Sequence, residues 1–208
     1  MSALLIGVIA VTLLNLYAAV LIVLRARVYG VKLYRPMLLN IGLSFLPVLL
    51  AVVLGAGLLL LTPLIGRATE AIAGAGTFAV WAYLIVATLL WLVFFPNSVY
   101  LITELNFSHR AETTPVPLWY DIVQTLALTL SGIANAVLSL AVVQTMGLVL
   151  IDRPDGRIPA ASWGFAATVI LLGAIGVYLG RYLRLNSWDI RHPGSMIRKL
   201  RDHLRHRG

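Results

Sequence analysis

The chain has 208 residues, of which 60% are hydrophobic and only 12% charged, with a net charge of +8 and a mean hydropathy of +0.92. Soluble domains carry about 25% charged residues, so composition excludes a soluble globular fold and predicts an all-α, polytopic transmembrane helix bundle of about five spans. Cysteine is absent, which excludes disulfides, a thiolate nucleophile and a Cys-ligated metal.

Residues 3–24 have the length of a spanning helix, about 20 residues. Their basic flank follows them, the reverse of a signal peptide, so they read as a retained helix. Thr12 and Asn15 lie i, i+3 and predict one interhelical hydrogen bond. Residues 25–35 read as a short basic loop carrying Arg25, Arg27, Lys32 and Arg35. Residues 37–61 form the second span. There Asn40, Ser44, Pro47 and Ala51 share one face, either as a packing seam with a kink at Pro47 or as the lining of a pathway. Residues 62–76 contain Pro63, Gly66, Gly74 and Gly76 and read as a loop on the opposite side.

Residues 77–95 form the third span and deliver the chain to Pro96-Asn97. Pro96 predicts a helix break and Asn97 the cap of a new helix, on which Asn97, Tyr100 and Glu104 share a face beside Thr103. A polar connector follows, containing His109, Arg110 and Glu112.

The fourth span covers residues 118–150, with Asp121 placed favourably for the helix macrodipole. Gln124, Thr125, Ser131, Gly132, Asn135 and Ser139 form two adjacent i+3/i+4 ladders that converge on Asn135. Lipid does not reward such a face, so it points into the bundle, as a dry hydrogen-bonded seam or as the lining of a wet cavity. The fifth span covers residues 161–183. Its Gly173, Gly176 and Gly180 lie on one face, and Gly176-x-x-x-Gly180 is a close-packing motif that suits a dimer or a neighbour in the same chain.

The tail, residues 194–208, has Met196, Ile197, Leu200 and Leu204 on one side and Arg198, Lys199, Arg201, Arg205 and Arg207 over much of the rest. It reads as a basic interfacial helix on anionic lipid, appended to a bundle at residues 1–193; nucleic acid is not its expected partner. The basic loop and the basic tail fall on one side of five alternating spans. This predicts an N-terminus outside and a C-terminus in the cytoplasm. Anionic headgroups are then the expected partners of loop and tail.

That orientation gathers the chemistry-bearing residues on one face. Glu104 and Asp121 are the candidate acid/base groups. Asn97, Tyr100, Arg181, Arg184, Asn186 and Asp189 are the candidate substrate-binding groups, with the arginines suited to phosphate or carboxylate. The alternative is structural: Arg181 or Arg184 neutralises Glu104, Asp121 or Asp189. No helical His-x-x-x-His or Glu-x-x-His spacing supports a metal site, no phosphate loop or nucleophile elbow is visible, and no cofactor is indicated.

Three motifs occur in order: Phe94-Phe95-Pro96-Asn97-x-x-Tyr100-x-x-Thr103-Glu104-Leu105, Pro117-Leu118-Trp119-Tyr120-Asp121, and Gly176-x-Tyr178-x-Gly180-Arg181-x-x-Arg184-x-Asn186-Ser187-Trp188-Asp189. Together they resemble a family of bacterial integral membrane proteins, number 1361 in the domain-of-unknown-function series, over residues 36–193. The family pattern commonly has Asp where Glu104 stands and His near Phe107, whereas this chain has His109. Some members continue into another span after the Asn-Ser-Trp-Asp motif. The resemblance implies a shared fold and a shared cluster of positions, and no activity. Three functions stay open: a scaffold or assembly factor, with a homo-oligomer or a membrane protein as partner; a membrane-embedded enzyme acting on a lipid-linked or amphiphilic substrate; and a small transporter or channel subunit.

Overall fold

A computed structural model describes residues 3–71, 74–105, 115–149 and 158–182. Five helices correspond to the five predicted spans: α1 (Ala3–Tyr29), α2 (Arg35–Ala71), α3 (Ala75–Tyr100), α4 (Leu118–Val149) and α5 (Ala160–Tyr182). A short 3-10 segment, Leu101–Leu105, continues from α3. Each of the five helices is long and apolar enough to cross a membrane, and the protein is a multi-pass helix bundle.

The boundaries differ from the sequence reading in three places. α1 runs on to Tyr29, so Arg25 and Arg27 sit on its last turns and not in a loop. α2 begins at Arg35 and passes through Pro47, Pro63 and Gly66 to Ala71, where a loop from residue 62 was expected. α3 passes through Pro96 and ends four residues later, so the expected break and the Asn97 cap do not occur. The physical reason is common to both proline sites. A proline removes one N–H and crowds the carbonyl four residues back. One lost hydrogen bond does not by itself end a long helix, and Pro96 is held in place by its close packing against Gly176 of α5.

Contacts fix the topology. Asn15 meets Asn135 and Arg25 meets Asp121, so α1 and α4 are antiparallel. Ser44 meets Ser98 while Leu54 meets Tyr83, so α2 and α3 are antiparallel. Gln144 donates to the Ser162 carbonyl at 2.9 Å and ties the end of α4 to the start of α5. α4 is the central helix and contacts all four others and the 3-10 segment.

The glycine face of α5 settles its own role in part. A Cβ on Gly173 would stand 2.8 Å from Phe95 Cε1, and one on Gly176 would stand 2.6 Å from Pro96 Cγ. Both glycines are therefore spent on packing within the chain, while Gly180 faces open space. Gly173 against Phe95 and Gly176 against Pro96 also make α3 and α5 parallel, which brings the C-terminal ends of both to one end of the bundle.

Two apolar layers bracket the middle. One contains Ala18, Leu21, Ile22, Met37, Ile41, Leu101, Val116, Tyr120 and Leu128. The other contains Ala51, Leu84, Trp91, Phe95, Val142, Val143, Met146 and Val169. Between them lies a layer of buried polar side chains.

Candidate functional site

The polar layer is built from one side chain per helix on α1 to α4. Asn15 and Asn135 exchange side-chain hydrogen bonds, at 2.8 Å from Asn15 Nδ2 to Asn135 Oδ1 and 3.1 Å in return. The second hydrogen on Asn15 Nδ2 goes to the Val11 carbonyl at 2.8 Å, and the second on Asn135 Nδ2 goes to Ser44 Oγ at 2.9 Å. The Ser44 hydroxyl donates to the Ser98 carbonyl and the Ser98 hydroxyl donates to the Ser44 carbonyl, each at 3.1 Å.

Every amide hydrogen of the two asparagines is thus committed, and Ser44, Ser98 and Asn135 are fully buried. Ser131 adds a contact of its hydroxyl to the Leu14 carbonyl at 3.3 Å, shared with Ala127 at 2.8 Å. Thr12, by contrast, turns back onto the Val8 carbonyl of its own helix. The arrangement is a hydrogen-bonded seam, with the convergence on Asn135 that the spacing predicts. Gln124 Oε1, Thr129 Oγ1 and Trp91 Nε1 are buried without a hydrogen-bond partner.

About 20 Å along α4 from Asn135, at 1.5 Å per residue, stands the second polar feature. Arg25 Nε lies 3.1 Å from Asp121 Oδ1, with the arginine side chain about a quarter exposed (27%) and the aspartate 11%. The Tyr120 hydroxyl donates to the Leu21 carbonyl at 2.7 Å, and the Tyr120 ring packs edge-on against Tyr29 and Trp119. α1 and the start of α4 are thereby joined by an ion pair, a hydrogen bond and an aromatic contact. The 3-10 segment arrives at this same end, with Leu101 fully buried beside Val116 and Tyr120, and the Thr103 hydroxyl bonded to the Tyr100 carbonyl at 2.7 Å.

The predicted site residues fall into three groups. Asp121 is buried and paired, while Asn97 and Tyr100 are half-buried near the C-terminus of α3, at the same end of the bundle. The backbones of Glu104 and Arg181 belong to the 3-10 segment and the last turn of α5, which end there too; their side chains lie outside the description. Arg184, Asn186 and Asp189, with the tail, lie outside the described residues.

The expected pairing of Asp121 with Arg181 or Arg184 involves side chains outside the described residues; among the described side chains Asp121 meets a different arginine. Its arginine is Arg25, which the sequence reading assigned to a lipid-facing loop. Because α1 is one turn longer than expected, Asn15, Ala18, Ile22 and Arg25 share one helical face, at i, i+3, i+7 and i+10. That spacing was the signal that could have found the pair. Among the described residues, no group of three His, Asp or Glu side chains stands close enough to hold a metal ion.

The pairing of Arg25 with Asp121 predicts a charge-swap result. Arg25→Asp alone places two carboxylates together and is expected to lower the melting temperature of the detergent-solubilised protein. Combining it with Asp121→Arg should recover most of the loss. A pair this exposed is worth about 1 kcal/mol, so a coupling near zero in the double-mutant cycle would show that the two charges do not meet.

A family described as "Protein of unknown function (DUF1361)" matches residues 39–208, most of the chain. The match includes Asp121 and Asn135 and begins after α1, which supplies their partners Arg25 and Asn15. No curated protein and no solved structure matches.

Proposed function

The chain belongs to the DUF1361 family, and for this member we propose a scaffold or assembly role in a bacterial inner membrane, with the N-terminus outside and the C-terminus in the cytoplasm. One observation carries the reading. Asn135 and Ser131, which α4 turns inward at the middle of the bundle, are spent on α1, α2 and their own helix, and Ser44 and Ser98 are spent on each other. A conducting path needs polar groups with free hydrogen-bonding capacity along a wet lumen, and the middle of this bundle has Asn15, Asn135, Ser44 and Ser98 closed on themselves. A general acid or base needs a carboxylate free to exchange its proton with substrate, and Asp121 is buried against Arg25. What this leaves for function is a rigid frame with outward surfaces: lipid-facing helix faces and the end where α1, α3, α4 and α5 bring their polar termini.

The orientation is supported by the placement of Arg25, Arg27, Lys32 and Arg35 at one end of the bundle, the distribution expected of a cytoplasmic face. Both points are tested on one pair of variants, because the native chain has no cysteine. Lys32→Cys and Arg67→Cys place thiols at exposed positions on opposite ends of α2. In intact cells a membrane-impermeant maleimide should label the variant at 67 and spare the one at 32. A short bismaleimide applied after permeabilisation should join the variant at 32 to one partner at fixed stoichiometry, retained through mild detergent. Reversed labelling overturns the orientation; a monodisperse, uncrosslinked monomer overturns the scaffold.

A further inference from the structure

The turn between α1 and α2 gathers more positive charge than the described carboxylates neutralise. Arg27, Lys32 and Arg35 lie within nine residues and all three are exposed. Asp121, the one carboxylate whose side chain is described, is taken by Arg25. The backbone holds these cations close. Gly30 adopts a left-handed conformation, φ +63°, that ends α1, and the turn closes with Arg35 N–H to the Leu33 carbonyl at 3.1 Å and Met37 N–H to the Tyr34 carbonyl at 3.2 Å.

Because α2 starts at Arg35, that guanidinium stands in the first turn of a helix that has no acidic residue there. Its charge adds to the positive partial charge of the helix start, an arrangement that costs free energy when nothing anionic is near. The same end carries exposed apolar and aromatic groups, Tyr34, Leu118 and Trp119, at the level where rings and acyl-ester groups meet. Exposed cations and rings gathered at one end of the bundle match the two chemistries of an anionic phospholipid, a phosphate and the ester-linked acyl chains beside it.

We propose that the α1–α2 turn is a binding surface for the phosphodiester headgroup of anionic phospholipids, with Arg27, Lys32 and Arg35 as its cations. The lipid neutralises what Asp121 leaves over. Tyr34, Leu118 and Trp119 flank its upper acyl chains. The inference goes beyond the scaffold role and stands whether or not a protein partner exists.

The experiment uses the full chain, purified in mild detergent and exchanged into nanodiscs of mixed phosphatidylglycerol and phosphatidylcholine. Native mass spectrometry then reads the lipids that stay bound. Each Lys or Arg near an anionic surface contributes about 1 kcal/mol, which is about fivefold in affinity. Phosphatidylglycerol should therefore be enriched at least about fivefold over phosphatidylcholine, and the enrichment should fall as salt is raised. The variant Arg27→Gln/Lys32→Gln/Arg35→Gln should lose it, and Arg67→Gln at the other end of α2 should keep it.

Should the triple variant fail to fold, the single variants Arg27→Gln, Lys32→Gln and Arg35→Gln decide. Each is expected to lower the enrichment below that of the wild type while retaining whatever the basic tail contributes. Enrichment that salt leaves unchanged, or that is absent, overturns the proposal. So does full displacement of the lipid by millimolar inorganic phosphate, which would make the surface an ion site. Equal retention in the triple variant and the wild type overturns it as well.

Discussion

Asn135→Ala is expected to destabilise the protein by about 2–3 kcal/mol, read as a lower midpoint in unfolding from detergent. Interhelical hydrogen bonds in membrane proteins average only about 0.6 kcal/mol, because a chain unfolded within the membrane finds other partners. Asn135 exceeds that average for a structural reason. Its amide bonds both Asn15 and Ser44, and it sits with no exposure between two apolar layers.

Truncation would strand the Asn15 carbonyl, and a buried polar group left unpaired costs about 1–3 kcal/mol. It would also leave a small void, which adds to the loss. Removing both partners of such a bond is cheaper than removing one. Asn15→Leu combined with Asn135→Leu should therefore be more stable than either single leucine variant. If the two single losses simply add, the amides are not coupled, and the layer is wet after all.

The convergence on Asn135 was legible because helical periodicity places polar residues on a common face whatever the neighbours are. Its partners were legible only in part: Asn15 was expected to make an interhelical hydrogen bond and Ser44 to lie on a seam, but neither span says that they meet Asn135. Which of them meet is set by how far each helix slides along the next. Ser98 was invisible for a different reason. It lies just after the expected break at Pro96, where the new helix expected from Asn97 put its polar face on Asn97, Tyr100 and Glu104 and left Ser98 off it.

Arg25 was misplaced by the same kind of error. A cluster of basic residues reads as a loop at the membrane surface, and here the last two turns of α1 carry part of it. The five spans themselves needed no partner information, since length and unbroken apolarity suffice. α2 continued through Pro63 and Gly66, where proline and glycine are turn signals of local propensity that the rest of the helix can override. The same asymmetry governs the candidate site. Its members were gathered onto one face by counting spans, and the ion pair within it needed three-dimensional register.

The second large effect is expected at Gly132, and it runs against helix propensity. Replacing a mid-helix glycine by alanine ordinarily stabilises by about 1 kcal/mol. At Gly132 the added Cβ would stand 2.8 Å from the Ser98 carbonyl oxygen and 3.1 Å from Leu101 Cβ. The first is a backbone atom and has no rotamer with which to step aside. Nor is it idle, for it accepts the Ser44 hydroxyl. To admit the methyl group, α4 must separate from the junction of α3 with the 3-10 segment by a few tenths of an ångström. That separation loosens the Ser44–Ser98 exchange on one side and shifts the segment carrying Thr103 and Glu104 on the other.

Overpacking of this kind costs about 1–3 kcal/mol, so Gly132→Ala should come out destabilised after its propensity gain, and Gly132→Val more so. Gly42→Ala supplies the comparison, because a Cβ there meets nothing within 4 Å and only the propensity gain remains. Opposite signs for the two substitutions, in the same unfolding assay, are the expected result. Equal shifts would mean that α4 does not approach Ser98 this closely. The 3-10 segment would then owe its position to its own sequence and not to the missing side chain at Gly132.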